Sequence, residues 1–231
     1  MGIVVFDVDG TIFKNNNTAT QAFADTVYET YGIKEYSKQW SLYQRCSDIG
    51  IIREICSKYL NHEMTWDEVL QFENLYLKKF SHALEANPES LIPVDGICQF
   101  IQKCKTGTGL KIAIYTGGMK RVTLMKLARI GIYESEFPIA TAQDGLYRCD
   151  IYSAAISKAK VMYDIEQTNS NVIIGDSELD IKLVKQLEIP LIGVTTSMSA
   201  QKFNEYGVNV TIKDFQDIDG IIEKINYLCQ N

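Results

Sequence analysis

From about residue 94 onward, the chain alternates short apolar segments with segments whose apolar residues recur every three or four positions. The short apolar segments are typical of buried strands, and the longer periodic segments predict helices. Strands that alternate with helices form parallel sheets covered by helices on both faces. The pattern predicts strands at 110–115, 137–141, 171–175, 191–194 and 209–212, and helices at 95–106, 119–130, 150–163, 178–187, 199–206 and 217–229.

The first part of the chain has a different pattern. Residues 3–8 form one more short apolar run and predict a first buried strand. Residues 15–93 instead show long helical patterns without a convincing strand, and Thr65 and Glu68 form a capping box ahead of one of these helices. We therefore predict an α/β fold with a Rossmann-like parallel sheet and an inserted all-α cap domain. The predicted boundaries are 1–14 and 94–231 for the core domain and 15–93 for the cap domain.

Carboxylates follow two of the predicted strands, at the ends where open parallel sheets bind ligands. Asp7 and Asp9 lie at the end of the first strand, and Asp176 and Asp180 follow the strand at 171–175. Two carboxylates that lie so close together repel each other strongly unless a cation or a proton intervenes. Such a pair indicates a metal site, or a nucleophile beside an acid/base group.

A hydroxyl and a glycine turn follow the strand at 110–115. Thr116 and Gly117 stand just before a predicted helix, where free amide groups and the helix dipole favour an anion. Arg148, in the predicted loop before the helix at 150–163, is a candidate cation for the same place. Together with the carboxylates, these residues fit Mg²⁺ with a phosphate, because Mg²⁺ prefers hard oxygen ligands and leaves positions for the substrate.

Charge and composition argue against several other classes of function. The net charge of −6, without a Lys/Arg run, argues against a nucleic-acid partner. The sequence contains no run of eighteen apolar residues, so it does not predict a membrane span. The six cysteines lack paired zinc spacing, and the two histidines lie far from the strand-end acids. We expect a cytoplasmic monomer or homodimer whose partner is a small phosphorylated molecule.

Three segments together resemble the haloacid dehalogenase superfamily of phosphohydrolases. They are Asp-x-Asp-Gly-Thr at 7–11, Thr116 after a strand, and Gly-Asp-Ser at 175–177 followed by Asp180. The resemblance covers essentially the whole chain, and residues 15–93 resemble the cap that this superfamily carries after its first strand. It implies a Mg²⁺-dependent phosphomonoester hydrolase that acts on a small phosphorylated metabolite through an aspartyl-phosphate intermediate.

The resemblance also implies roles for the acids. Asp7 would be the nucleophile that attacks phosphorus. Asp9 would protonate the leaving oxygen and then activate water. Asp7, Asp176 and the backbone carbonyl of Asp9 would hold Mg²⁺, and Asp180 would support the metal through water or a neighbouring cation.

Thr116 and the N–H of Gly117 would bind the phosphoryl oxygens. The chain departs from the family pattern where many relatives have Lys-Pro before the last motif. Arg148 is the nearest cation there, and Lys158 and Lys160 are alternatives later in the helix. Arginine offers phosphate a permanently charged, bidentate contact, so we predict Arg148 in this role.

Two other functions are compatible with this sequence. A phosphoglucomutase-like phosphotransferase would use the same core and return the phosphoryl group to its substrate. A non-catalytic binding or regulatory protein could keep the fold, although it has no evident reason to keep all four acids. Several polar cap residues could reach a substrate, and Arg45 could contact an anionic one; the others are Tyr43, Gln44, Arg53 and Lys58.

Overall fold

The computed structural model describes residues 2–15, 17–166 and 170–230 of the chain. Its strands are β1 (Ile3–Phe6), β2 (Lys111–Tyr115), β3 (Ile139–Ala140), β4 (Asn171–Gly175), β5 (Leu191–Val194) and β6 (Thr211–Ile212). They form one parallel sheet in the order β3-β2-β1-β4-β5-β6. The strand order reverses at β1, and in such sheets the crevice at this switch point is the usual place for a ligand.

Helices cover both faces of the sheet. They are α1 (Asn17–Tyr31), α2 (Asp48–Leu60), α3 (Trp66–Ala86), α4 (Ile97–Gly107), α5 (Lys120–Ala128), α6 (Arg148–Tyr163), α7 (Glu178–Leu187), α8 (Ala200–Glu205) and α9 (Ile218–Gln230). Val4 and Phe6 of β1 belong to the apolar cluster that includes α4 and α9. Ile3 and Val5 belong to a second cluster with α6 and α7. Successive side chains of a strand point to opposite faces, and helices cover both faces of this sheet. All four residues of β1 are therefore buried and apolar.

The register of the central strands brings three strand ends to one level. Phe6 of β1 lies opposite Ile114 of β2 and Ile174 of β4. The chain segments that leave these strands therefore meet at one edge of the sheet. Those segments carry the acids and the Thr-Gly turn that the sequence singled out.

The predicted parallel sheet with surrounding helices is confirmed. The outer strands β3 and β6 are shorter than the predicted 137–141 and 209–212, because an edge strand has a neighbour on one side only. The prediction that Arg148 lies in a loop is wrong. Arg148 is the first residue of α6, since the extended backbone of Tyr147, at φ −102° and ψ 148°, ends the loop before it.

Between β1 and α4 the described residues form α1 to α3 and two short 3₁₀ turns, without a strand. The capping box at the start of α3 is confirmed: the Glu68 amide donates to the Thr65 hydroxyl at 3.3 Å, and the Thr65 amide donates to the Glu68 carboxylate at 2.7 Å. Phe23 of α1 packs edge-on against Phe72 and Tyr76 of α3, with ring centres 5.2 and 5.5 Å apart.

Two backbone segments connect these helices to the sheet. The amide of Lys14 donates to the carbonyl of Ile92 at 2.8 Å, and the amide of Val94 donates to the carbonyl of Ile12 at 2.9 Å. The division into a core domain and a cap domain at residues 15–93 stays a prediction. No helix in the described part of the chain is long and apolar enough to cross a membrane.

Candidate active site

A cavity of 260 Å³ lies at the carboxyl ends of β1, β2 and β4, under helices α1 to α3. Asp7 is at its base and is 3% exposed, and its amide donates to the carbonyl of Ile174 at 3.0 Å. This bond continues the β1–β4 pairing by one residue, so the sheet itself fixes the position of Asp7. The cavity is the one place where most of the site residues predicted from the sequence meet.

Arg148 enters the cavity from the first turn of α6. Its Nη1 donates to Asp7 Oδ1 at 3.0 Å and lies 3.7 Å from Asp180 Oδ1. The guanidinium also lies 5.6 Å from the centre of the Tyr115 ring. Its Nε is buried and has no hydrogen-bond partner among the described residues, so one donor of this cation is still unused.

The two other candidate cations of the same helix lie elsewhere. Lys158 Nζ donates to the carbonyl of Ile139 at 2.7 Å and pairs with Asp144 at 2.8 Å. Lys160 is in the last turn of α6, at the opposite end from Arg148. Neither lysine lines this cavity.

Three buried carboxylates, those of Asp7, Asp176 and Asp180, each offer an oxygen within 4.8 Å of the others. Burial and the neighbouring Asp180 carboxylate raise the pKa of Asp7 well above its usual range. The same two causes raise the pKa of Asp176 to about 7. The cluster therefore carries more negative charge than Arg148 alone balances.

Asp180 is held by four donors. Its Oδ2 accepts the amides of Asp176 at 3.2 Å and Ser177 at 3.0 Å, and the Ser177 hydroxyl at 2.6 Å. Its Oδ1 accepts the hydroxyl of Tyr115. Asp180 thereby fixes the loop after β4, whereas the oxygens of Asp7 and Asp176 are less fully engaged.

Small residues surround Asp176. Its carboxylate accepts the Thr11 hydroxyl at 3.3 Å, the side-chain amide of Asn15 at 3.3 Å and the Ser197 hydroxyl. Gly10 adopts φ +88°, and a Cβ there would overlap the Asp176 carboxylate. A glycine after Asp9 is therefore required both by the backbone conformation and by the close approach of the two loops.

Asp9 is half exposed and pairs with Lys126 of α5, whose side chain is only 4% exposed. Both Asp9 oxygens accept from the ammonium, at 2.7 and 2.9 Å, and the ammonium lies 5.5 Å from the Phe80 ring centre. Sequence reasoning missed Lys126. Its spacing of four residues from Val122 was the available signal, because it places the lysine on the buried face of α5.

Thr116 and Gly117 form the turn after β2. Thr116 is 3% exposed, and its hydroxyl accepts the amide of Gly118 at 3.1 Å. The carbonyl of Gly117 accepts the amide of Asp48 at 2.7 Å, and a Cβ on Gly117 would come within 2.8 Å of the Cys46 carbonyl. The backbone before α2 thus packs directly on this turn, which leaves no room for a side chain.

Asp48, the first residue of α2, is the second residue that sequence reasoning missed. It follows Ser47, the N-cap of α2, and an acid in a first helical turn is ordinary, so its sequence position carries no signal. The polar residues of 15–93 that were predicted to reach a substrate do not line the cavity; they line a separate groove beside α2. That groove contains Tyr43, Gln44, Arg45, Arg53 and Lys58.

Solved structures share this fold over nearly their whole length. A hydrolase from Pseudomonas syringae gives a TM-score of 0.73 at 15% identity, covering 97% of this chain and 99% of that chain. A β-phosphoglucomutase from Clostridium difficile gives 0.67 at 16% identity, covering 99% of each chain. CbbY from Rhodobacter sphaeroides, solved in complex with phosphate, gives 0.65 at 17% identity, covering 94% of this chain and 95% of that chain. No curated protein matches the sequence significantly.

The sequence profile described as haloacid dehalogenase-like hydrolase matches residues 4–194, which include both loops that carry the acids. The match spans far more than half of the chain, from within β1 to the end of β5. On this match the chain belongs to the haloacid dehalogenase-like hydrolase family.

Proposed function

We propose that this hydrolase is a Mg²⁺-dependent phosphomonoester hydrolase in which Asp7 is the nucleophile. The observation that carries the proposal is the position of Asp7, buried at the end of β1 between Arg148 and Asp176. There a carboxylate oxygen can face a phosphorus atom whose oxygens are held by the guanidinium and by the turn at Thr116 and Gly117. The family profile supports hydrolysis, and the charges around Asp7 support a phosphate ester as the substrate.

The donor set fits Mg²⁺. The acids provide hard oxygen ligands, and the excess negative charge that raises the pKa of Asp7 and Asp176 favours a divalent cation between them. Since Asp180 is occupied by its four donors, Asp7, Asp176 and the backbone carbonyl of Asp9 would hold the ion. When bound, Mg²⁺ would neutralise charge on the phosphoryl oxygens.

Different side chains of the protein then carry out attack on phosphorus, binding of the phosphoryl oxygens and proton transfer. Asp7 attacks phosphorus and becomes the aspartyl-phosphate, while Arg148, Thr116 and the Gly117 amide hold the equatorial oxygens. Asp9, two residues further on, protonates the leaving alcohol and later takes a proton from the attacking water. Its contact with Lys126 fixes the direction of the carboxylate before the substrate arrives.

The helices of residues 15–93 would act as a cap that excludes bulk water during attack. Two contacts support this proposal. The hydroxyl of Ser47 donates to the carbonyl of Leu146 at 3.0 Å, and the amide of Asp48 donates to Gly117 at 2.7 Å. Both contacts join the start of α2 to loops of the core domain, directly beside the proposed phosphate position.

The mechanism is tested by Asp7→Asn. We expect this variant to lower Mg²⁺-dependent hydrolysis of p-nitrophenyl phosphate by about a thousandfold or more, because the amide is a poor nucleophile. Asp67→Asn, an exposed acid at the start of α3, is the matched control and should keep wild-type rates. Full activity in Asp7→Asn would refute the mechanism. Release of inorganic phosphate, measured together with any isomerised ester, separates hydrolysis from the phosphotransferase alternative.

A further inference from the structure

The cap side of the cavity carries a single charge. The described residues of 15–93 that line it are Asn15, Ala19, Thr20, Phe23, Trp40, Cys46, Asp48, Ile51 and Tyr76. Asp48 is the one ionisable carboxylate among them. The part of a substrate that extends from the phosphate toward the cap therefore meets aromatic, aliphatic and uncharged polar side chains and one acid, without a cap cation from the described residues.

The two cations that line the cavity come from the core domain and are already paired. Lys126 contacts both oxygens of Asp9, at 2.7 and 2.9 Å, and Arg148 contacts Asp7 at 3.0 Å. A second anionic group of a substrate would have to compete with a carboxylate for either cation. The cationic cap residue Arg45, which could have received such a group, lines the separate groove beside α2 instead.

Asp48 is held rigidly at this wall. Its amide donates to the Gly117 carbonyl at 2.7 Å, and its Oδ2 accepts the Met119 amide at 3.0 Å. Both contacts are with the turn after β2, so the carboxylate lies beside the proposed phosphate position. No described residue donates a hydrogen bond to its Oδ1. That oxygen is an available acceptor at the edge of the cavity.

The charge around Asp48 decides what this acceptor can bind. The ionisable groups that act on it are Asp9, Lys126 and Arg148, and Tyr76 lies on the same wall. Burial raises the pKa of Asp48 to about 6, which leaves the group largely ionised at neutral pH. A hydroxyl or an ammonium can donate to it, whereas a second phosphate or a carboxylate would be repelled and would lose its hydration.

We propose that Asp48 selects phosphate monoesters whose leaving alcohol carries a hydrogen-bond donor, a hydroxyl or an ammonium, close to the phosphate, and rejects esters with a second anionic group. This inference rests on the proposed function, because it assigns the substrate class of the same site. The volume of 260 Å³, which includes the phosphate position, limits the leaving group to a small molecule. Amino-alcohol and polyol phosphates have this chemistry; bisphosphates and phosphorylated acids do not.

The test is a matched series of small phosphate esters with the full-length protein and Mg²⁺. The series is 2-aminoethyl phosphate, 2-hydroxyethyl phosphate, propyl phosphate and phosphoglycolate, which present an ammonium, a hydroxyl, a methyl group and a carboxylate. For the wild type we expect kcat/KM for the two donor esters to exceed that for phosphoglycolate by about tenfold or more. In Asp48→Asn the ratio of the ammonium to the carboxylate ester should fall about tenfold. The hydroxyl ester should keep its advantage over propyl phosphate, because the amide oxygen still accepts.

Asp67→Asn is the control for these ratios, since it removes an exposed cap carboxylate outside the cavity and should leave them at wild-type values. Equal or better turnover of phosphoglycolate by the wild type would overturn the inference, as would unchanged ratios in Asp48→Asn. Turnover of p-nitrophenyl phosphate without turnover of any donor ester would also overturn it.

A binding measurement separates this inference from the proposed function. The affinities of the four esters for Asp7→Asn, measured by calorimetry with Mg²⁺, should follow the same order as the turnover ratios. Preferential binding of the donor esters by a protein that hydrolyses no phosphate ester would support the role of Asp48 and refute the proposed hydrolysis. Binding that favours phosphoglycolate would refute the role of Asp48, whatever the activity.

Discussion

Asp48 stands at the start of α2, where its carboxylate is withdrawn from most bulk solvent, and this position makes the stability of the protein depend on pH. Its pKa of about 6 in the folded state lies above the ordinary value of 3.8, so the folded state binds the proton more tightly than the unfolded chain does. The stability that protonated Asp48 contributes is present below about pH 4. It is lost as the pH rises through about 6.

Asp48→Asn should remove this pH dependence. We expect the variant to gain about 2 kcal/mol of stability relative to the wild type between pH 4.5 and pH 7.5, because one pKa unit corresponds to about 1.4 kcal/mol and the wild type has already lost part of the effect at pH 4.5. Urea unfolding of both proteins with EDTA at the two pH values measures the difference. Asp67→Asn should change the difference in unfolding free energy between the two pH values by less than about 0.5 kcal/mol. Parallel stability curves for wild type and Asp48→Asn would contradict the raised pKa.

Site residues that directly follow strands could be located from the sequence pattern, whereas Lys126, on helix α5, could not. Asp7, Thr116 and Asp176 each come directly after an apolar run, and parallel strands end at one edge, so their proximity follows from the pattern alone. Lys126 reaches the same place from a helix. Its contact with Asp9 depends on how α5 packs against the sheet, which a local pattern does not determine.

At the scale of single elements, helix α3 is the clearest test, because its capping box was predicted from the sequence and is present. Thr65→Ala removes one of the two reciprocal bonds, and we expect a loss of about 1 kcal/mol, or about 2–4 °C in Tm. Thr65→Ser keeps the hydroxyl and should lose much less. Urea and thermal unfolding measure both variants. Equal losses in the two would show that the methyl group of Thr65, and not the capping bond, is what stabilises α3.

The ends of elements were harder to predict than their existence. Helix α6 begins at Arg148 because the extended backbone of Tyr147 precedes it, and neither residue has a strong preference for a helix start. The edge strands β3 and β6 pair over two residues each, since the number of paired residues at an edge depends on the neighbouring strand. The start of α6 and the length of the edge strands both depend on contacts with neighbouring elements. The sequence pattern of a single element does not contain that information.

At the scale of the whole molecule, the acidic cluster connects the two halves of the sheet. Asp7 leaves the central strand β1, and Asp176 and Asp180 leave its neighbour β4, so the charge they bring together lies across the switch point of the fold. Burial and mutual repulsion raise the pKa of Asp7 and Asp176, so the folded state without a cation loses stability as the pH rises from about 4 through 7. An ion that bound these oxygens would restore that stability.

Mg²⁺ should therefore raise the Tm, and more at pH 7.5 than at pH 5, where protons compete for the same oxygens. At a concentration one hundred times its dissociation constant, a ligand that binds only the folded state contributes about 2.7 kcal/mol, which corresponds to about 5–10 °C in a chain of this size.

Asp176→Asn should remove most of the Mg²⁺ effect and, in EDTA at pH 7.5, should be more stable than the wild type, because the repulsion with Asp180 is gone. Thermal unfolding with EDTA and with MgCl₂ at both pH values measures all four combinations. An equal Mg²⁺ effect in Asp176→Asn and the wild type would place the ion elsewhere, and a larger effect at pH 5 would contradict carboxylate binding.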